Sequence, residues 1–296
     1  MIVSPEQTTV GFIGTGVMGK SMAGHLQKAG YALHVYTRTA AKAEELIKQG
    51  ATWHESPASL AAACGVIITM VGYPKDVEEI YLGEDGIIAN ASSGAYLIDM
   101  TTSSPQLAAR IHEKALKSGL HALDAPVSGG DTGAKNATLS IMVGGEKADY
   151  EAVRPIFELM GKNIVLQGTA GAGQHTKMCN QIAIASNMMG VCEALAYAKT
   201  SGLDPVNVLK SIETGAAGSW SLSNLGPRMI AGDYEPGFFV KHFIKDMGIA
   251  LSSAEEMGLQ TPGLALAKSL YEELSELGYD DKGTQILYQY YMKFSN

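Results

Sequence analysis

Cysteine is scarce in this 296-residue chain: Cys64, Cys179 and Cys192 are the only three, and no CxxC pair occurs. That excludes a disulfide framework or a cysteine-built zinc site, and it fits the reducing cytoplasm. The seven histidines are scattered, with no HExxH pattern and no His/Cys cluster, so no dedicated metal site is expected. Basic residues are outnumbered, 22 Lys and Arg against 30 Asp and Glu, for a formal net charge of -8. Such a balance argues against a protein that coats nucleic acid, but leaves room for a local basic pocket holding one phosphate. Lipid-spanning runs are missing as well. The longest charge-free apolar stretch of helical character, Met178 to Cys192, is broken by Asn180, Gln181, Ser186 and Asn187 and is too short to cross a bilayer. Nor do the first ten residues (MIVSPEQTTV) join a basic segment to an apolar run, so no secretory signal is expected.

What the chain does have is core-forming material. At 46% hydrophobic and 18% charged it excludes wholesale disorder, and its length suits one large domain or two of ordinary size. Short β-like runs alternate with helical stretches through the first half. Strands are expected at Thr8–Ile13, Leu33–Tyr36, Cys64–Val71, Ala95–Met100, Leu120–Asp124, Thr138–Val143 and Ile164–Leu166. Helices are expected at Met18–Ala29, Ala40–Gln49, Pro105–Lys117 and Lys147–Met160. The run Cys64–Val71 is continuously apolar, as befits a strand buried on both faces of a parallel sheet. Strands alternating with helices imply βαβ units and a doubly wound parallel sheet. Near Gly168 the pattern changes. From Gly171 to Ser201 the sequence reads as one helix, roughly 46 Å long at 1.5 Å per residue, expected to be buried among other helices. No strand of comparable quality follows, which divides the chain into an α/β domain at 1–168 and an all-α domain at 169–296.

Gly14-Thr15-Gly16-Val17-Met18-Gly19 joins the first strand to the first helix. In that context the first glycine permits a tight turn, the second lets backbone approach a pyrophosphate, and the third lets helix pack on strand. The amides of the helix N-terminus then face the anion, so all six residues are candidate dinucleotide contacts. No acidic residue occurs between His25 and Ala43, where an NAD-binding carboxylate usually stands. The second strand ends instead in Thr37-Arg38-Thr39, suited to grip a 2′-phosphate by charge-assisted bonds. NADP is therefore the expected cofactor, with NAD possible.

Three further segments carry candidate chemistry. Ser128-Gly129-Gly130 follows Asp124-Ala125-Pro126-Val127 and offers a hydroxyl and unobstructed amides to a carboxylate. Lys177 sits in the opening turns of the long helix, with Asn180 and Gln181 at i+3 and i+4 on its face. A lysine near a helix N-terminus stands against its electrostatic preference, and burial beside a positive nicotinamide would lower its pKa towards neutrality, as suits a proton donor or acceptor. Gly173, one turn earlier, is expected to leave space for a substrate. Lys245, in His242-Phe243-Ile244-Lys245-Asp246, is a candidate contact for the cofactor or a substrate carboxylate.

Taken together these segments resemble the β-hydroxyacid dehydrogenase family, which includes 3-hydroxyisobutyrate dehydrogenase and the semialdehyde and glyoxylate reductases. The resemblance covers nearly the whole chain. It is carried by GFIGTGVMG (11–19), IDMTTSSP (98–105), DAPVSGG (124–130), ATLSIMVGG (137–145), GAGQHTKMCNQ (171–181) and IKDMGIAL (244–251). It implies a Rossmann-type N-terminal domain binding NADP and an all-helical C-terminal domain for substrate binding and oligomerisation. By matching positions it implies Lys177 as the catalytic lysine, Ser128, Gly129 and Gly130 as carboxylate binders, and Asn180 with Gln181 beside the substrate. Met70 and Val71, at the end of the fourth strand, would line the cofactor. One of Thr101 or Thr102 would touch the nicotinamide side.

Two departures from the family pattern stand out: Gln181 where relatives often carry Asn, and Met70-Val71-Gly72 where many have Leu-Pro. A homodimer or homotetramer acting on a small carboxylate-bearing substrate is expected, with no nucleic-acid or membrane partner. A decarboxylating 6-phosphogluconate dehydrogenase would be longer and more basic, and residues 283–296 supply only Lys293. Imine reductases of this architecture usually replace the lysine. A non-catalytic NADP-binding scaffold is the reading from outside enzymology, and the joint presence of Lys177 and the Ser-Gly-Gly turn argues against it.

Overall fold

The computed structural model describes residues 3–294. The chain forms two compact units that divide between Lys177 and Met178.

The first unit follows the order β1 (Thr9–Ile13), α1 (Val17–Lys28), β2 (Ala32–Tyr36), α2 (Glu44–Lys48), β3 (Thr52–Trp53), α3 (Pro57–Ala63), β4 (Val66–Thr69), α4 (Pro74–Leu82), α5 (Ile87–Asn90) and β5 (Tyr96–Asp99). It continues through α6 (Pro105–Lys117), β6 (His121–Asp124), β7 (Val127–Ser128), α7 (Gly130–Lys135), β8 (Leu139–Gly144), α8 (Lys147–Glu158) and β9 (Gly161–Gly168). The strands make one sheet in the order β3-β2-β1-β4-β5-β6-β8-β7, with β9 also paired to β8. Pairing is parallel from β3 to β6, as expected, while β8 runs antiparallel to β6 and β7.

Alternation along the strands builds a core on each face. Val66 and Ile68 of β4 join Val10, Phe12 and Ile98 on one side, and Ile67 joins Ile13 and Leu97 on the other. Helix starts are set locally. Ser56 and Ser104 accept from Ser59 N and Leu107 N, each followed by a proline with its φ already helical. The expected single helix over 40–49 is instead a 3-10 turn (Ala40–Ala43) running into the short α2. Ala43 and Leu46 are buried while most of their neighbours in the turn are exposed, so only a narrow strip is held down.

The second unit is all helical after α9 (Ala172–Thr200) enters it: α10 (Pro205–Ile212), α11 (Trp220–Ala231), α12 (Val240–Glu256), α13 (Pro262–Glu276) and α14 (Leu287–Phe294). Met178, Ala185, Met188, Cys192 and Leu195 of α9 pack in a core with Phe243, Met247, Leu270 and Tyr271. The expected burial of this helix among other helices holds on that side and not on the other. Cys179, Ala183, Ser186, Gly190, Glu193 and Tyr197 form an exposed stripe, with Tyr197 75% exposed. Their spacing of three and four keeps them on one side of the helix. Among the described residues no helix is long and apolar enough to cross a membrane. Among those residues, too, no group of three or more His, Cys, Asp or Glu is placed to hold a metal ion.

Candidate functional site

The strand order reverses between β1 and β4, and in open α/β sheets ligands gather beyond the carboxyl ends of the strands at such a point. Gly14 leaves β1 with φ +98, a conformation costly for other residues, and its N–H donates to Tyr36 O at 2.8 Å. A Cβ on Gly14 would stand 2.2 Å from Met70 O, and one on Gly19 would stand 1.9 Å from Gly14 O. Gly16 instead faces open space and starts α1 with no side-chain cap and no acidic residue in the first turn. The amides of that turn are therefore left for a ligand. Thr15 is buried, and its hydroxyl has no hydrogen-bond partner within the protein. An uncapped helix start, an open cradle and a buried hydroxyl fit a dinucleotide pyrophosphate. Val17 is exposed and Met18 packs against the sheet core.

Beyond β2, Thr37 is half-buried while Arg38 and Thr39 are exposed. Arg38 Nη1 lies 3.2 Å from Asp76 Oδ1, and the other oxygen of Asp76 accepts from Tyr73 N to cap α4. The arginine is thus oriented by a buried carboxylate that sequence spacing does not connect to it. Met70 and Val71 are half-buried at the end of β4, and Val71 N donates to Thr101 Oγ1 at 3.0 Å. The Thr101 hydroxyl is committed to that loop contact, and Thr102 beside it is half-buried.

Register aligns Ile13, Thr69, Asp99, Asp124 and Gly144 across the carboxyl rim of the sheet. Asp99 Oδ1 accepts from Thr69 Oγ1 at 2.8 Å and from Thr101 N at 3.0 Å. Burial outweighs these bonds and pushes its carboxyl up to about 6, with the neighbouring Asp124 adding to the rise. Asp124 is also raised by burial, although the amides of Gly171 and Gln174 oppose this by donating to its two oxygens at 2.7 and 2.8 Å. One carboxylate from β6 therefore caps the start of α9.

That cap presents Lys177. The side chain is buried, and Nζ donates to Val127 O at 2.8 Å, the residue before Ser128-Gly129-Gly130. Ser128 and Gly130 are half-buried and Gly129 exposed, with φ of +131 and +62 at the two glycines. The structure thus brings the candidate lysine to the candidate carboxylate turn. Gly173 does not leave substrate space: a Cβ there would stand 2.4 Å from Met142 O and 2.7 Å from Asp124 O, so its missing side chain serves backbone packing.

Farther along α9, Asn180 Nδ2 donates to Gln181 Oε1 at 2.7 Å, and the buried Gln181 donates to Asp246 Oδ2 at 2.6 Å. Lys245 Nζ lies 2.8 Å from Asp246 Oδ1. Asp246 of α12 thus joins two candidates that the sequence treats separately, and Gln181 is directed to this buried contact. Elsewhere in the helical unit Trp220 is 64% exposed, Lys241 pairs with Asp281 at 2.5 Å, and Phe238 packs with Phe243.

Comparison with known proteins agrees with this arrangement. Residues 9–168 match the NAD-binding domain of 6-phosphogluconate dehydrogenase. Residues 171–291 match the NAD-binding family of NADP-dependent 3-hydroxyisobutyrate dehydrogenase. The chain is 64% identical to an uncharacterized oxidoreductase, YkwC, of Bacillus subtilis, over 96% of this chain and 99% of that protein. It is 41% identical to the 2-hydroxy-3-oxopropionate reductase of Escherichia coli, over 91% of this chain and 92% of the relative. A solved Mycobacterium tuberculosis 3-hydroxyisobutyrate dehydrogenase with L-serine superposes with a TM-score of 0.88 at 29% identity, covering 98% of this chain and 99% of that one. The chain belongs to the β-hydroxyacid dehydrogenase family of NAD(P)-dependent oxidoreductases.

Proposed function

We propose that this protein interconverts a small β-hydroxy acid and its semialdehyde or oxo acid, with NADP preferred over NAD and Lys177 as general acid and base. The observation that carries the reading is the buried Lys177 amine, 2.8 Å from Val127 O at the entrance to the Ser-Gly-Gly turn. The bound nicotinamide supplies or accepts hydride. The chain's own residues do the rest. Gly14–Gly19 hold the pyrophosphate, Thr37, Arg38 and Thr39 the 2′-phosphate, and Met70, Val71, Thr101 and Thr102 flank the nicotinamide half. Ser128, Gly129 and Gly130 fix the substrate carboxylate, so that binding the unreactive end orients the reacting carbon. Asn180, one helical turn from Lys177, orients the substrate, with Gln181 behind it, and Lys245 contacts cofactor or substrate. During reduction Nζ of Lys177 gives a proton to the carbonyl oxygen; during oxidation it takes the hydroxyl proton.

On this reading residues 1–168 form the NADP-binding domain and 169–296 the substrate and oligomerisation domain, in a cytoplasmic homodimer or homotetramer. The exposed stripe of α9, ending in Glu193 and the largely exposed Tyr197, supports self-association, which light scattering on the purified protein measures. The relatives' names support a short hydroxy acid or semialdehyde as substrate. Lys177→Ala should still bind NADPH, read by its fluorescence, while turnover of semialdehydes falls by about 10²–10⁴. Full turnover by that variant refutes the assignment, and NADPH binding without turnover of any small oxo acid by the wild type favours a scaffold.

A further inference from the structure

Gln174 lies three residues before Lys177 on α9 and is fully buried. An amide in that position is costly unless both of its ends are satisfied. Both ends are. Nε2 donates to Thr101 O at 2.7 Å, and Oε1 accepts from Ser103 N at 2.9 Å. The partners fix which end is which, since a carbonyl only accepts and an amide N–H only donates. Gln174 N meanwhile donates to Asp124 Oδ2 at 2.8 Å, so backbone and side chain of one residue grip two different segments. The segment Thr101–Ser103 leaves the sheet just past Asp99, while α9 carries Lys177 on its next turn.

We propose that Gln174 is a positioning residue that locks the Thr101–Ser103 loop to the helix bearing Lys177, so that loop and proton-transfer group share one rigid frame. The role rests on the reading of Lys177 as acid and base and of Thr101 and Thr102 as nicotinamide neighbours. Gln174 touches neither substrate nor cofactor itself. It acts by holding the loop and the amine at a fixed separation, a quantity to which hydride and proton transfer are sensitive.

Two variants test it. Gln174→Met fills a similar volume and makes neither bond. In the protein without cofactor, the Ser103 amide should exchange with deuterium at least about tenfold faster than in the wild type. In turnover, kcat should fall about 10- to 100-fold while the NADPH dissociation constant stays within about threefold. Gln174→Glu gives the second readout. As a neutral acid it keeps an acceptor for Ser103 N and an O–H donor for Thr101 O, whereas as a carboxylate it cannot donate. Burial and the carboxylates of Asp124 and Asp99 oppose its ionisation, and the ammonium of Lys177 favours it. Its kcat relative to wild type should therefore rise as pH is lowered, with melting temperatures at each pH separating this from a change in stability. Wild-type kcat or wild-type Ser103 exchange in Gln174→Met, or a Gln174→Glu ratio that falls as pH is lowered, overturns the proposal. If Lys177→Ala keeps full turnover while Ser103 exchange is still accelerated in Gln174→Met, the reading of Lys177 fails and the positioning role falls with it, leaving a purely architectural clamp.

Discussion

The remote cap on α9 makes a sharp quantitative prediction for Asp124→Asn. In the native protein each carboxylate oxygen accepts one amide, Gly171 N at 2.7 Å and Gln174 N at 2.8 Å. Asparagine keeps the shape but offers one acceptor, and its NH2 group must face the other amide. One hydrogen bond to a charged group is lost, worth about 1.5–3 kcal/mol, and a buried N–H is left unpaired. The interaction of a negative charge with the helix start, up to about 2 kcal/mol in buried geometry, is lost as well. Against these losses stands the relief of a buried charge, visible in the raised pKa of Asp124. The net expectation is destabilisation by about 2–4 kcal/mol. Urea unfolding at pH 7 measures it, and hydrogen exchange at the Gly171 and Gln174 amides reports the cap itself should the two units unfold separately. A shift below about 0.5 kcal/mol, with unchanged exchange at both amides, would mean that the cap contributes nothing.

Other outcomes follow from the same rim. Asp99 titrates at about 6 in the folded chain, against about 3.9 when unfolded. The folded state therefore holds this proton more tightly. The associated stability is full below about pH 3.9 and is lost as pH rises to about 6, to a maximum of about 3 kcal/mol. Asp99→Asn removes that dependence, so its melting temperature should gain on the wild type between pH 4 and 6; a constant difference contradicts the assignment. Arg38→Ala should raise KM for NADPH by about tenfold or more and leave NADH within about twofold, since only the 2′-phosphate loses a charge-assisted partner. Equal losses for both cofactors would remove Arg38 from the selectivity argument.

The parts of the site that were legible in the sequence are those whose geometry is local. Gly14–Gly19 can be read because three glycines at fixed spacing between a strand and a helix have few other uses. Lys177, Asn180 and Gln181 share a helix, so their separations follow from its pitch. The alignment of Thr69, Asp99 and Asp124 is different. It depends on the register between strands about 25 to 30 residues apart, which no spacing announces. The same holds for Asp76 beneath Arg38, and for the union of Gln181 and Lys245 on Asp246. At Gly173 a glycine near the candidate lysine reads equally well as room for a ligand or as room for backbone, and only the nearby Met142 carbonyl decides. The 40–49 segment carried a helical pattern too weakly anchored to hold one helix.

The junction between the units has a practical corollary. It falls inside α9, after Lys177, and not in a linker. Truncation at residue 168, where the character of the sequence changes, would strip the nucleotide-binding fragment of Gly171, Gln174 and Lys177, leaving the β6 carboxylate without its amides. A fragment meant to stand alone has to keep the opening turns of the helix, whatever its composition says about where one domain stops.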